Sequence, residues 1–241
     1  LELLEEIDPT SEMFTKAKTF AAFLQRQAGD FEGAAKNLRE VLAKEPGNLK
    51  ARSYLVLILR DNRRLSEALG FVEGGLQHAP QDESLLFQAA VILHDLGQEA
   101  ASLKRMEEVL VVNPKNTDAL NFIAYSLAEN GQQLDRAEEL IRQALEIRAQ
   151  DSFYLDTLGW ILFQKKNFAE AEEILSRAVE LSEGDVVVFE HYGDVLVQNG
   201  KQQKAEEIYK RAQQLKKKMP GEDEKKALER IEGKLRSLRR K

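Results

Sequence analysis

The sequence predicts an all-α fold: a right-handed superhelical solenoid of about six helix-turn-helix units closed by a C-terminal capping helix. Three observations point there. Pro46, Pro80 and Pro114 stand 34 residues apart, and a fixed period of that size marks a repeat array. Apolar residues recur at i, i+3, i+4 and i+7 inside the periods, the spacing of one helix face. Small residues recur at fixed places, as closely packed antiparallel helices require where their axes approach. They are Ala90, Ala124, Gly159 and Gly193 on first helices, and Ala34, Ala68, Ala137, Ala171 and Ala205, then Ala144, Ala178 and Ala212, on second helices.

The elements follow in order. Residues 1–14 read as the remnant of a preceding unit, with 1–9 as its closing helix. The chain opens on Leu1 and not on Met, which suggests a piece of a longer protein. Six units are expected at 15–48, 49–82, 83–116, 117–151, 152–185 and 186–219. Past Pro114 the period is carried by Ala149, one residue late, and by Glu183. In 49–82 the first helix presents Leu55, Val56 and Leu59 and the second Ala68, Val72 and Gly75. In 83–116 the sets are Leu86, Ala89, Ala90 and Leu93, then Ser102, Met106 and Val109. In 152–185 they are Leu155, Leu158, Gly159 and Leu162, then Ala171, Leu175 and Ala178. Residues 220–241 form the last element. Pro220 and Gly221 break the chain, and Leu228, Ile231, Leu235 and Leu238 then make an apolar stripe. A terminal unit needs such a stripe on one side and a charged face on the other.

These residues resemble a family. Leu158, Gly159, Leu162, Phe168, Ala171, Leu175 and Ala178 fall in the pattern of the tetratricopeptide repeat. So do Gly29, Asp30, Phe31, Ala34, Leu38 and Pro46, and Tyr192, Gly193, Leu196, Gly200, Ala205, Tyr209 and Ala212. The resemblance covers about 15–219. Four residues depart from the pattern: Lys18 and Arg52 stand where a large apolar residue is usual, and Gly75 and Ser102 replace Ala. Unit 117–151 has one extra residue in its turn. A narrower likeness involves the stretches 121–128, 134–141 and 155–163. It resembles segments of long bacterial repeat proteins, some of them outer-membrane lipoproteins that present substrates to a periplasmic carboxy-terminal processing protease. That resemblance implies a bacterial source, an adaptor role and a periplasmic, outer-membrane-anchored parent, with a cytoplasmic location as the alternative.

Composition bears on what the chain does. Of 241 residues, 43% are hydrophobic and 32% charged, and there is no Cys. Disulfides and thiolate metal sites are thereby excluded, while cytosol and periplasm fit equally. His78, His94 and His191 lie in different units with no metal-ligand spacing. No phosphate-binding loop, dinucleotide fingerprint or nucleophile elbow is present. The expectation is therefore no enzyme, no catalytic residue, no metal and no cofactor. Net charge is −6, but residues 216–241 carry eleven Lys or Arg against five acids. Interspersed acids and an acidic body argue against nucleic acid as a partner. Membrane contact is expected only indirectly or through this basic tail.

What remains is a surplus of apolar side chains. First helices line the concave side of such arrays. Leu57, Phe87, Val91, Tyr125, Phe153, Trp160 and Phe163 are the candidate partner-binding groove, with Val187 and Val197 beyond. A groove of this kind suits a protein or peptide ligand. Tyr125 and Trp160 equally suit the seam between neighbouring units. The polar members of the stripe are Arg60, His94, Asp95, Asn121, Glu129, Asp156, Gln164, Glu190 and Asp194, whose acidic excess favours a partially basic partner. The Lys and Asn of a carboxylate clamp are missing: the matching positions hold Ser53 and Leu57, Phe87 and Val91, Asn121 and Tyr125. The leading expectation is a protein-binding scaffold or adaptor. The alternatives are self-association into a dimer or filament, and membrane-surface attachment through the tail.

Overall fold

The structure is a computed structural model that describes residues 4, 7–218 and 224–238. Thirteen helices of 12 residues or more make up its regular structure, with no strand among the described residues. The all-α expectation holds. The expected closing helix at 1–9 lies largely outside the described residues, as do Pro220 and Gly221 ahead of the tail helix.

The chain divides into two compact units, one ending at Pro114 and one starting at Lys115. The amino-terminal unit contains α1 (Phe14–Gln27), α2 (Phe31–Lys44), α3 (Leu49–Asp61), α4 (Leu65–Leu76), α5 (Glu83–Asp95) and α6 (Glu99–Val112). The carboxy-terminal unit contains α7 (Thr117–Glu129), α8 (Leu134–Ile147), α9 (Ser152–Gln164), α10 (Phe168–Leu181), α11 (Val186–Gln198), α12 (Gln202–Lys218) and α13 (Glu224–Leu238). Odd-numbered helices up to α11 are the first members of hairpins. Each packs on its own second helix. Within each unit, second helices also pack on the next first helix: α2 on α3 and α4 on α5, then α8 on α9, α10 on α11 and α12 on α13.

Side-chain chemistry starts and ends these helices at regular intervals. Asn48, Asp82, Asn116, Asp151 and Asp185 precede α3, α5, α7, α9 and α11, and each side chain accepts a hydrogen bond from a backbone N–H of the first turn. Such a cap contributes about 1 kcal/mol. Between the two helices of every hairpin one residue turns left-handed: Gly29, Arg63, Gly97, Gly131, Lys166 and Gly200. The extra residue of the fourth hairpin is absorbed there too, since Gln133 also takes a positive φ of 46°.

The core of each hairpin is built on small-to-large contacts. A Cβ on Gly159 would lie 2.4 Å from Cγ of Leu175, and one on Gly193 only 2.3 Å from the Tyr209 ring. Leu155, Ala178 and Val188 join three successive helices into one buried cluster, with Leu145 and Ile174 against it.

The departures from the repeat pattern are not isolated irregularities. Arg52 is buried and donates to the carbonyls of Phe71 (2.8 Å) and Pro46 (2.7 Å). Gly75 makes the room: a Cβ there would come within 2.7 Å of Cδ of Arg52. A large cation on one helix is thus matched by a missing methyl on the next. Lys18 pairs with Glu40 at 2.7 Å. Ser102 donates to the carbonyl of Ala90 at 2.7 Å, so its hydroxyl is satisfied inside the core.

Candidate protein-binding faces

The face presented by the first helices is described for each unit separately. In the amino-terminal unit, Leu57 on α3 is 39% exposed, while Phe87 and Val91 on α5 are half-buried. Neighbouring first helices are tied by ion pairs at their C-terminal ends: Arg26 to Asp61 at 2.7 Å and Arg60 to Asp95 at 2.9 Å. Gln88 of α5 donates to Ser53 of α3 at 3.2 Å. Two further aromatic residues belong to this face and were absent from the sequence-based candidates. Phe20 is 53% exposed and Phe23 44% exposed, and their rings stack with centroids 6.4 Å apart. The signal for Phe23 is simple in hindsight, since Phe23, Leu57 and Val91 stand 34 residues apart.

In the carboxy-terminal unit the four candidates part company. Phe153 is 58% exposed and Tyr125 36%. Trp160 is half-buried and sandwiched. Its ring stacks on Phe163 at 4.9 Å and on His191 of α11 at 4.2 Å, so it fills the seam between α9 and α11. Phe163 in turn tilts against Phe168 at the start of α10, at 5.5 Å. Phe153 lies apart from them, beside an open depression of ≈ 560 Å³ lined also by Arg148, Leu181 and Asp185.

The acids of this face are answered from within the chain. His191 Nδ1 lies 2.9 and 3.0 Å from the two carboxylate oxygens of Asp156. Burial pushes the His191 pKa down, but the charge and hydrogen bond of Asp156 outweigh it, and the net direction is up. Glu190 is only 2% exposed. Arg230 of α13 grips it with two hydrogen bonds, of 2.7 and 2.6 Å. Lys234, one turn on, donates to Asp194 at 2.7 Å, and Tyr209 donates to the same carboxylate at 2.6 Å. Thus α13 seals the end of the unit twice, by these pairs and by burying Ala227, Ile231 and Leu235. Burial, with the nearby Glu129, pushes the Tyr125 phenol up to about 12. The acidic excess read from the sequence is therefore largely neutralised before any partner arrives.

Among the described residues no group of three or more His, Asp or Glu side chains is placed to hold a metal ion. No described helix is long and apolar enough to cross a membrane.

Family profiles described as tetratricopeptide repeat match residues 25–91, 87–152, 154–185 and 188–219. The chain belongs to the tetratricopeptide repeat family. Members of this family are typically non-catalytic scaffolds. A curated relative, the TPR repeat-containing protein PA4667 of Pseudomonas aeruginosa, is 28% identical over 146 residues, which cover 60% of this chain and 25% of the relative. The matched segment thus spans about a quarter of that protein. Two solved tetratricopeptide structures share the fold. Pseudomonas aeruginosa PilF superposes with a TM-score of 0.70 at 14% identity, covering 91% of this chain and 97% of its own. YrrB, described as a TPR protein with an unusual peptide-binding site, gives 0.60 at 17% identity, covering 82% and 99%.

Proposed function

We propose that this tetratricopeptide chain is a non-catalytic binding module that captures a protein or peptide partner on its first-helix faces, acting as an adaptor or scaffold. One observation carries the reading. Large apolar side chains stand exposed on first helices in both units, at Phe20, Phe23, Leu57, Tyr125 and Phe153. Exposed aliphatic side chains also occur on second helices, at Val111, Val112, Ile147 and Leu181, but the exposed aromatic rings all stand on first helices, and an exposed apolar patch marks an interaction surface. The peptide-binding site named for YrrB supports the same use of the fold. An adaptor role is also what the resemblance of 121–128, 134–141 and 155–163 to long bacterial repeat proteins implies. Packing of the buried Asp156–His191 pair against the Trp160 ring favours a structural role for it over a catalytic one. Membrane attachment through α13 is disfavoured because Arg230 and Lys234 are committed to Glu190 and Asp194.

Panning a random peptide library on the intact chain tests the reading. Sequences with large apolar anchors should be enriched. The Leu57→Ser and Phe153→Ser variants should lose the enriched peptides while keeping full helical circular dichroism. A library that shows no enrichment, or variants that retain every peptide, would overturn it.

A further inference from the structure

We propose that the first-helix face of the amino-terminal unit docks an acidic segment of a partner protein, one that carries large apolar anchors. The inference rests on the binding-module reading and adds the chemistry of the ligand.

Charge is distributed unevenly among the first helices. Together α1 and α3 contain six Lys or Arg (Lys16, Lys18, Arg26, Lys50, Arg52 and Arg60) and one acid, Asp61. In contrast α5, α7, α9 and α11 contain no Lys or Arg and seven acids, so the cationic part of the amino-terminal unit's face is α1 and α3. Four of the six cations have internal work: Lys18 with Glu40, Arg52 with two carbonyls, and Arg26 and Arg60 with the aspartates that end the next first helix. Lys16 and Lys50 do not. Both are exposed, and neither has an ion-pair or hydrogen-bond partner among the described residues.

Their placement ties them to the apolar patch. On α1, Lys16, Phe20 and Phe23 stand at i, i+4 and i+7, so one helix edge carries an ammonium group and then two stacked rings. On α3, Lys50 and Leu57 occupy the equivalent positions 34 residues on. Two adjacent helices thus offer the same order, a cation at the N-terminal end and exposed apolar surface above it. At the C-terminal ends the charges are already paired off. A ligand that satisfies both ends brings carboxylates to Lys16 and Lys50 and apolar side chains to Phe20, Phe23 and Leu57. Opposite charge selects the partner and speeds encounter, while apolar contact holds it. A basic segment, favoured by the sequence-based reading of the whole stripe, meets like charge on this unit.

The test uses the full chain and three fluorescein-labelled synthetic peptides read by anisotropy. One alternates Glu with Leu and Phe, one replaces every Glu by Lys, and one keeps Glu but replaces the apolar residues by Ser. The acidic apolar peptide should bind at least about tenfold tighter than either control, the equivalent of about 1.4 kcal/mol. Added salt should weaken it. Lys16→Glu with Lys50→Glu should remove that preference, and Phe20→Ser with Phe23→Ser should abolish binding. All four positions are exposed, so helicity should be unchanged. A tighter basic peptide, or equal binding to the Lys16→Glu, Lys50→Glu chain, overturns the inference but leaves the binding-module reading standing. Equal binding of the Ser-substituted peptide overturns it as mere charge attraction. A chain that binds none of the three overturns it as well, and the library panning then decides separately whether the wider reading survives.

Discussion

At the scale of single residues, the hairpins are held by pairs in which one side chain is small because its neighbour is large. Gly193 against Tyr209 is the tightest of these. Gly193→Ala would gain about 1 kcal/mol of helix propensity. The methyl would have to displace a ring at 2.3 Å, an overpacking cost of roughly 1–3 kcal/mol. A net destabilisation is expected, visible as a lower urea midpoint; a stabilised variant would show that the ring yields freely. Arg52 and Gly75 make a second such pair. Each was legible as a departure from the repeat pattern, but their coupling was not, because 23 residues and a helix boundary separate them. The same holds for Trp160 and His191. Helical spacing marked Trp160 but left His191 an isolated histidine, and only packing shows that α11 supplies the far side of the Trp160 stack.

His191 also sets a pH dependence. Asp156 raises its pKa above the ordinary 6.5 despite burial. Asp194 adds to that rise and Lys234 opposes it. A group with a raised folded-state pKa gives stability that is fully present below the unfolded value and lost as pH climbs through the folded one. The chain should therefore lose stability as pH rises above about 6.5. His191→Gln should flatten that slope. Thermal melts at several pH values check it, and an identical slope in the variant would remove His191 from the explanation.

At the scale of elements, the caps and turns explain why the hairpins were readable at all. Prolines marked three of the boundaries, and the Asn or Asp caps at positions 48, 82, 116, 151 and 185 mark the first helices more completely. Their side chains satisfy backbone donors at each helix start, so the residue type recurs where proline does not. The tail was legible as an amphipathic helix from its apolar stripe. Its electrostatic match to Glu190 and Asp194 was not, since those carboxylates lie 40 residues upstream of their partners. Ile231, on the inner face of α13, is fully buried. Ile231→Ala should cost about 2–4 kcal/mol, which is a drop of several degrees in Tm for a chain of this size. A silent substitution would mean that α13 does not cap the unit.

At the scale of the molecule, each unit buries a continuous core between hairpins and leaves its first helices facing outward with apolar side chains that the core does not use. Repeat stacking explains this division, because each hairpin contacts only its neighbours and the remaining face is free to vary. Fold class was legible because it depends on period and spacing, which sequence displays directly. The exposed apolar surface of the first helices was legible only in part. Leu57, Tyr125 and Phe153 are displayed, Trp160 fills the seam against His191, Phe163 packs on Trp160 and Phe168, Phe23 lies one period upstream of Leu57, and Phe20 has no counterpart in the recognised stripe.

Amide hydrogen exchange followed by mass spectrometry, with and without a peptide enriched from the library, addresses the central claim most directly. Protection should rise on first helices, on α1, α3 and α5 or on α7, α9 and α11, and stay unchanged on the outer turns of the second helices. Protection confined to the second helices, or no change anywhere at saturating peptide, would contradict the assignment of the first-helix faces as the docking surface.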